Sequence, residues 1–341
     1  MEEKPKTRAR GREIKSDLFK RALERRDILD DEAQDAKALG YIPKVLCQLV
    51  LPPSKFVGLE YKKDSGEHHL RLHTPEVFGI PYGVYPRAIM IHFASQVVKR
   101  KLQGEDSRLI PLGRSLHTFM RDVTGTKTYS GGNFGNIRPF RRHLVSLLAS
   151  RFFYWFGPEK MDTGLSSFQS MEIATSGSIL WPSHGEQSEA LFDSNIMLGE
   201  AFWKSLHSEK GAVPIDTRAI RALWPNCLAI DTYVWMTYRA NSLLRLRKNQ
   251  MSISWLSLWQ QFGEQFTHLR NFRDRFSTTL KRVLTVYPGA SIVSYGDGER
   301  AGLQFRFARA SILSKGHHQV GDRKILEMRS NKPQLNLGPG L

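Results

Sequence analysis

Apolar positions along this chain recur at two periods, steps of four and strict alternation, and the switches between them mark out its elements. RAIMIHFASQVVKRK (87–101) carries Ile89, Phe93 and Val97 in steps of four, which predicts a helix with one apolar face. LHTFMRDV (116–123) predicts a short helix with Ser115 as its N-cap. A turn bearing Gly125 and Gly131-Gly132 comes next. PFRRHLVSLLASRFFYWF (139–156) then predicts one long helix, opened by Pro139 and ended by Gly157-Pro158. Alternation predicts strands elsewhere. KFVGLEYKK (55–63) and HHLRLHT (68–74) flank Asp64-Ser65-Gly66 as a β-hairpin. FQSMEIATSGSILW (168–181) and ALFDSNIML (190–198) read as two further strands joined by a polar turn, a candidate wing.

The second half repeats the plan. EAFWKSLH (200–207), DTRAIRAL (216–223, capped by Asp216), LAIDTYVWMTYRANSLLRLR (228–247) and SWLSLWQQFG (254–263, capped by Ser254) read as helices. HLRNFRDRFSTTLKRVLTVYP (268–288) gathers Leu269, Phe272, Phe276, Leu280, Val283 and Tyr287 on one face. SIVSY and LQFRFARAS then flank Gly296-Asp297-Gly298 as a hairpin. Short helix, turn, longer basic helix and hairpin is the order of a winged helix, and it occurs twice. The predicted fold class is therefore α+β, with tandem winged-helix domains, each a helix-turn-helix with a β-hairpin wing. The boundaries are a charged arm over 1–40, a first domain over 41–198, a second over 199–312 and a disordered tail over 313–341.

Charge changes this picture from fold to partner. The 341 residues are 40% hydrophobic, enough for a core, and carry a formal charge of +17. The surplus is uneven. Residues 86–157 hold twelve Lys/Arg against three Asp/Glu, whereas 151–235 hold six against ten. No run of 18 or more apolar residues exists, and the charged start has no apolar core behind it. A membrane partner is not expected, and a cytoplasmic location is. Cys47 and Cys227 are two lone cysteines and read as reduced thiols.

A recognition helix needs one face for the core and one for phosphates and base edges. Arg138, Arg141 and Arg142 cluster at the start of the helix near 139, and the turn before it adds Lys127, Tyr129 and Asn133. Arg270, Asn271, Arg273 and Arg275 open the helix near 268, with Lys281 and Arg282 further along and Arg300 on the hairpin after it. Arginine can pair bidentately with guanine and asparagine with adenine. These twelve residues, without Tyr129, are the candidate DNA contacts, and double-stranded DNA is the expected partner. The competing reading, solvated basic faces, applies to any single amphipathic helix. Two such helices, each after a short helix and a turn, weigh against it.

Catalytic chemistry is not evident. No GxxxxGK[ST] loop and no GxSxG elbow occur. His69 and His73 share a strand face but sit too far apart for the His-apolar-His pair of a metal-dependent nickase. No metal, no cofactor and no catalytic residue is assigned, and a binder rather than an enzyme is expected.

The stretches GIPYGVYPRAIMIHFASQVVKRK, SRLIPLGRSLHTFMRDV, GGNFGNIRPFRRHLVSLL and LFDSNIMLGEAFW, with PIDTRAIRAL, SWLSLWQQFG and FRDRFSTTLKRVLTVYP, resemble the plasmid-encoded RepA replication initiators across roughly residues 45–310. The most specific parts are PYG-x-x-PR (81–87), LG-x-SL-x-x-FM (112–120) and GG-x-x-G-x-I-x-x-x-R (131–141). The resemblance implies tandem winged-helix proteins of the bacterial cytoplasm that bind direct repeats, iterons, at a plasmid origin. It implies help in melting an adjacent AT-rich region, recruitment of host DnaA and DnaB helicase, a role in copy control, and dimers that repress the protein's own promoter. A stand-alone transcriptional repressor is the alternative, and an origin-nicking enzyme a more remote one.

Overall fold

The computed structural model describes residues 38–125, 136–158, 167–181, 193–208, 211–287, 289–296 and 301–308, and the backbone of 335–336. Its first half runs β1 (Leu39–Pro43), α1 (Lys44–Gln48), β2 (Glu60–Ser65), β3 (His68–His73), α2 (Val84–Leu102), β4 (Leu109–Gly113), α3 (Leu116–Thr124), α4 (Ile137–Leu148), β5 (Arg151–Phe156), β6 (Ser167–Glu172), β7 (Ala174–Ser178) and β8 (Ser194–Leu198). The second half runs α5 (Glu200–His207), β9 (Ala212–Asp216), α6 (Thr217–Leu223), α7 (Cys227–Arg245), β10 (Gln250–Ser254), α8 (Trp255–Phe262), α9 (Leu269–Leu284), β11 (Ala290–Tyr295), β12 (Gly302–Phe307) and β13 (Leu335–Asn336). The fold is mixed α+β. The charged arm and the tail assigned from sequence lie almost wholly outside the described residues.

One order of elements occurs twice. Helix, strand, helix, helix, strand, strand is traced by α2–β4–α3–α4–β7–β8 and again by α7–β10–α8–α9–β11–β12. Each set of three strands has the same sheet order, first–third–second, as β4-β8-β7 and as β10-β12-β11. The closing pairs are antiparallel hairpins, Ala174 opposite Leu198 in one and Ala290 opposite Phe307 in the other. The first copy carries an insertion between α4 and β7. Its strands β5 and β6 join β2 and β3 in a separate four-stranded antiparallel sheet, β2-β3-β5-β6.

Two sequence expectations are corrected here. The long helix drawn over 139–156 stops at Leu148, and RFFYWF is strand β5. Aromatic side chains favour a pleated surface, and β5 pairs with β3 on one side and β6 on the other. Ser150 fastens the break, since its Oγ donates to Ser146 O at 2.7 Å and meets Thr74 Oγ1 at 2.8 Å. The wing drawn from 168–181 also divides. Only β7 pairs with β8, while β6 belongs to the other sheet.

Contacts divide the chain into two compact units that interleave in sequence, where the sequence drew a single boundary after residue 198. Of the described residues, one unit holds those within 40–214 and 253–273, and the other holds those within 215–252 and 274–308 with 38–39. In the first unit the four-step pattern of α2 is honoured, with Ile89, Phe93 and Val97 all buried, alongside Phe119 of α3 and Phe140, Leu144 and Leu147 of α4. The Phe119 and Phe140 rings sit 5.8 Å apart. In the second unit Trp235 of α7 meets Phe305 of β12 edge-on at 5.3 Å, and Tyr287 lies 6.0 Å from Phe307. There the buried carboxylate of Asp216 caps α6 by accepting from Arg218 N at 2.8 Å and also takes the Arg218 guanidinium.

The entry to α2 is held by a buried cation. Arg87 is 3% exposed. Its Nη1 donates to Gly83 O at 2.6 Å and Pro52 O at 3.2 Å, and its Nη2 donates to Leu51 O at 2.6 Å. Gly83, the N-cap residue of α2, has φ 79° and ψ −159°. L side chains rarely adopt that region, and open space around the missing Cβ leaves backbone strain as the only obstacle. Two outcomes are expected in urea unfolding. Arg87→Ala strands buried carbonyls and should lose about 3 kcal/mol, since hydrogen bonds to charged groups are worth ~1.5–3 kcal/mol. Gly83→Ala should lose ~1–3 kcal/mol through strain alone.

Candidate nucleic-acid interface

α3 and α4 form the first helix pair. Ser115 Oγ accepts from Thr118 N at 3.4 Å, so the cap expected from sequence forms. Gly125, at φ 70°, closes the other end of α3 in the left-handed region and donates to Arg121 O at 2.7 Å. On α4 the buried residues Phe140, His143, Leu144 and Leu147 turn one face inward. Arg138, Arg141 and Arg142 fall three and four residues apart on the other side, with Arg138 and Arg142 exposed and Arg141 half-buried. Arg141 and Arg142 have no carboxylate partner among the described residues. Lys127, Tyr129 and Asn133 lie outside the described residues.

The segment behind α4 is PYG-x-x-PR. Tyr82 meets the His143 ring edge-on at 4.5 Å, and Tyr85 meets Phe140 edge-on at 5.6 Å. Ser146 Oγ donates to Gly79 O. The motif that Arg87 holds in place is therefore the wall on which α4 rests. LG-x-SL-x-x-FM is also structural: Leu112, Leu116, Phe119 and Met120 are buried, and Ser115 is the cap.

α9 separates its basic residues. Arg270, Asn271, Arg275 and Lys281 are exposed, with Asp274 among them. Arg273 is half-buried, and its guanidinium lies 5.5 Å from the centre of the Trp255 ring. Arg282 is half-buried, and its Nη2 donates to Ala222 O at 3.2 Å and Trp224 O at 3.1 Å. Those carbonyls lie at the C-terminal end of α6, so Arg282 stitches that end down. The structure thus brings together four of the six α9 candidates on the solvent side, while Arg273 and Arg282 have partners in the fold. Arg300 lies outside the described residues.

The histidines on β3 are engaged with the fold. His69 Nδ1 is 2.6 Å from Asp64 Oδ1, its Nε2 is 3.1 Å from Gly157 O, and its ring stacks on Trp155 at 4.7 Å. Burial pushes the Asp64 carboxyl up, but hydrogen bonds and charge from Arg71 and His69 outweigh it and hold the group below the ordinary carboxylate value. Among the described residues no group of three or more His, Cys, Asp or Glu could hold a metal ion. No helix among them is long and apolar enough to cross a membrane.

The chain is similar in sequence to one family and in fold to two solved structures. The profile of the family described as "Plasmid encoded RepA protein" matches residues 80–257, just over half of the chain. No curated protein matches. The crystal structure of RctB domains 2–3 is similar at a TM-score of 0.46 and 14% identity, over 77% of this chain and 96% of that one. A selenomethionine derivative of domains 2 and 3 of RctB gives 0.44 and 14%, over 80% and 97%.

One titration arises from how α4 is seated. His143 is buried against Tyr82, and its Nδ1 has no hydrogen-bond partner among the described residues. Burial, then the neighbouring Arg142 charge, lowers its pKa from 6.5 to about 4. His92 on α2 is likewise lowered to about 4, by burial and then by Lys99. The folded state keeps both neutral, whereas the unfolded chain takes up protons below about 6.5. Their contribution is therefore complete above that pH and lost as pH falls toward 4. The melting temperature should drop across this window, and His143→Phe should make the drop shallower. An unchanged slope in that variant would show that His143 is not the group titrating.

Proposed function

The chain belongs to the family of plasmid-encoded RepA proteins, replication initiators, and we propose that it works by gripping duplex DNA through two winged-helix modules. The observation that carries this reading is the twofold occurrence of one topology, with the third helix of each copy, α4 and α9, turning arginines to solvent. In a winged helix that third helix enters the major groove, and the hairpin after it flanks the groove. Exposed Arg138, Arg142, Arg270, Arg275 and Lys281, with half-buried Arg141 and exposed Asn271, supply charge for phosphates and paired donors for bases.

Two linked modules on one chain suit directly repeated sites, which offer the same groove features twice in succession along the duplex. We therefore assign iterons at a plasmid origin as the target, and distortion of the bound duplex as the contribution to opening. Host DnaA and DnaB act on the opened DNA, and a homodimer of this chain would serve its own promoter. The protein acts by binding, without a bond-breaking step of its own.

The test is salt-dependent binding to duplexes carrying the origin repeats, with log K falling by ~0.9 per phosphate contact per log unit of salt. Arg142→Ala and Arg275→Ala should each lose ~1–3 kcal/mol of binding where the arginine reads a base, with thermal stability unchanged. Arg282→Ala should instead lower the melting temperature. Full affinity in both of the first two variants at physiological salt would put the DNA on another surface. Nicked product from supercoiled origin DNA would overturn the binder reading.

A further inference from the structure

Among the large apolar side chains left in water, four lie on the two loops that precede β2 and follow β3, the second of which is tied to α4. Val57 is 88% exposed, Val77 83%, Leu59 49% and Phe78 38%. They sit on two adjacent loops, tied by Thr74 N donating to Leu59 O at 3.3 Å. The second loop is a fixed turn. Phe78 N and Gly79 N both donate to Pro75 O, at 3.0 and 3.2 Å, and Gly79 takes the left-handed φ of 66°. Ser146 of α4 holds the turn through Gly79 O. A Cβ on Gly79 would lie 4.0 Å from Nη2 of Arg142. Phe78 and Val77 lie one and two residues from that contact, about 4 and 7 Å of backbone.

Exposed apolar side chains at a rigid tip are costly in water unless something covers them. Their neighbour narrows the occupant. Arg142 has no carboxylate partner among the described residues and lies on the basic face of α4. A phosphate at Arg142 would bring the bases of the same strand to within a side chain's length of the tip. The apolar surfaces a duplex offers are thymine methyl groups and the faces between stacked bases, and a phenylalanine beside a branched aliphatic residue on a fixed turn is of the kind that enters a base step.

We propose that Val77 and Phe78 form an apolar wedge that enters a base step of the duplex held by α4, unstacking and kinking the DNA there. The proposal rests on the reading of α4 as a DNA-contacting helix. Apolar wedges that unstack base steps enter from the minor groove, so the tip would reach across the backbone that Arg142 grips into the groove beside the one α4 occupies, and the unstacking is repaid by the wrapped surface that the bend creates. Flexible pyrimidine–purine steps are the sites where unstacking costs least. The wedge would give the protein a direct means of weakening stacking beside its binding site.

The experiment uses the full-length protein and duplexes tiling the plasmid origin, each with 2-aminopurine at one successive position. Wild type should raise the fluorescence at one step per site and bend the duplex by end-to-end energy transfer. Val77→Ser/Phe78→Ser, exposed positions whose replacement leaves the fold intact by thermal melting, should bind and lose both signals. Arg142→Ala should weaken binding itself, with the fluorescence rise retained in the fraction that is bound. Two results would overturn the wedge: wild type that binds with no fluorescence rise, or a double variant that unstacks like wild type, whether or not it also loses self-association. Lost self-association in that variant would make the ridge a protein contact. Wild type that binds no origin duplex would remove the DNA reading of α4 and the wedge with it.

Discussion

The geometry around α4 depends on one buried cation. Arg87 gathers the carbonyls of Leu51, Pro52 and Gly83, three points of backbone that no regular element would hold together. A charge buried at this depth is tolerated only when acceptors surround it, so the site is close to all-or-none. With Arg87 seated, the chain between Pro52 and Gly83 closes, Gly83 N reaches Pro52 O at 3.0 Å, and Tyr82 and Tyr85 stand where α4 must rest. The signature PYG-x-x-PR is then a foundation rather than a contact: Gly83 supplies the conformation, Arg87 the clamp and the tyrosines the wall.

Burial also decides which arginines are available. A helix packed on one face displays the residues opposite, and α4 conforms, with Phe140, Leu144 and Leu147 inward and Arg138 and Arg142 outward. On α9 the apolar face is wide, so its flanks are drawn into the fold. Arg273 comes directly after Phe272, about 100° round the helix, at the rim of that face, and its guanidinium lies over Trp255. Cationic side chains at such rims snorkel or stack, which removes them from the pool that meets a phosphate.

This division marks what was legible in the sequence. Periodicity located α2, α3, α8 and α9, and the capping serines at 115 and 254 act as caps. The order of two helices and a closing hairpin was also legible in the second half, because the change from α9 to β11 alters the period. What failed was a boundary without a change of hydrophobicity. SLLASRFFYWF has apolar residues on both sides of Ser150-Arg151 with no Gly or Pro between them, and the pairing partners on β3 and β6 make RFFYWF a strand. Short strands such as β9 and β10 were missed for the same reason: five residues show too little alternation to declare a period. Among the site residues, Arg273 was readable from its angle to Phe272. Arg282 was not, because its acceptors lie some sixty residues earlier in the chain.

The two copies of the topology differ in how the chain leaves their third helix, and that difference has consequences for their roles. α9 passes directly into its hairpin, so the register between helix and wing is set by a few residues around Tyr287. α4 passes first through β5 and β6, which pair with β2 and β3 before the chain returns to β7. The first copy is thus braced by a second sheet, and the loops at 53–59 and 74–79 border β2 and β3 of that sheet. Bending a stiff duplex requires a body that does not yield first. Of the two copies, the braced one has the fixed tip beside its basic helix, so under the proposed reading the strain of a bent duplex would fall on the stiffer copy. The copy with the direct connection displays Asn271 with Arg270 and Arg275 on its third helix, side-chain types that would pair with base edges if, as proposed, a duplex meets that face.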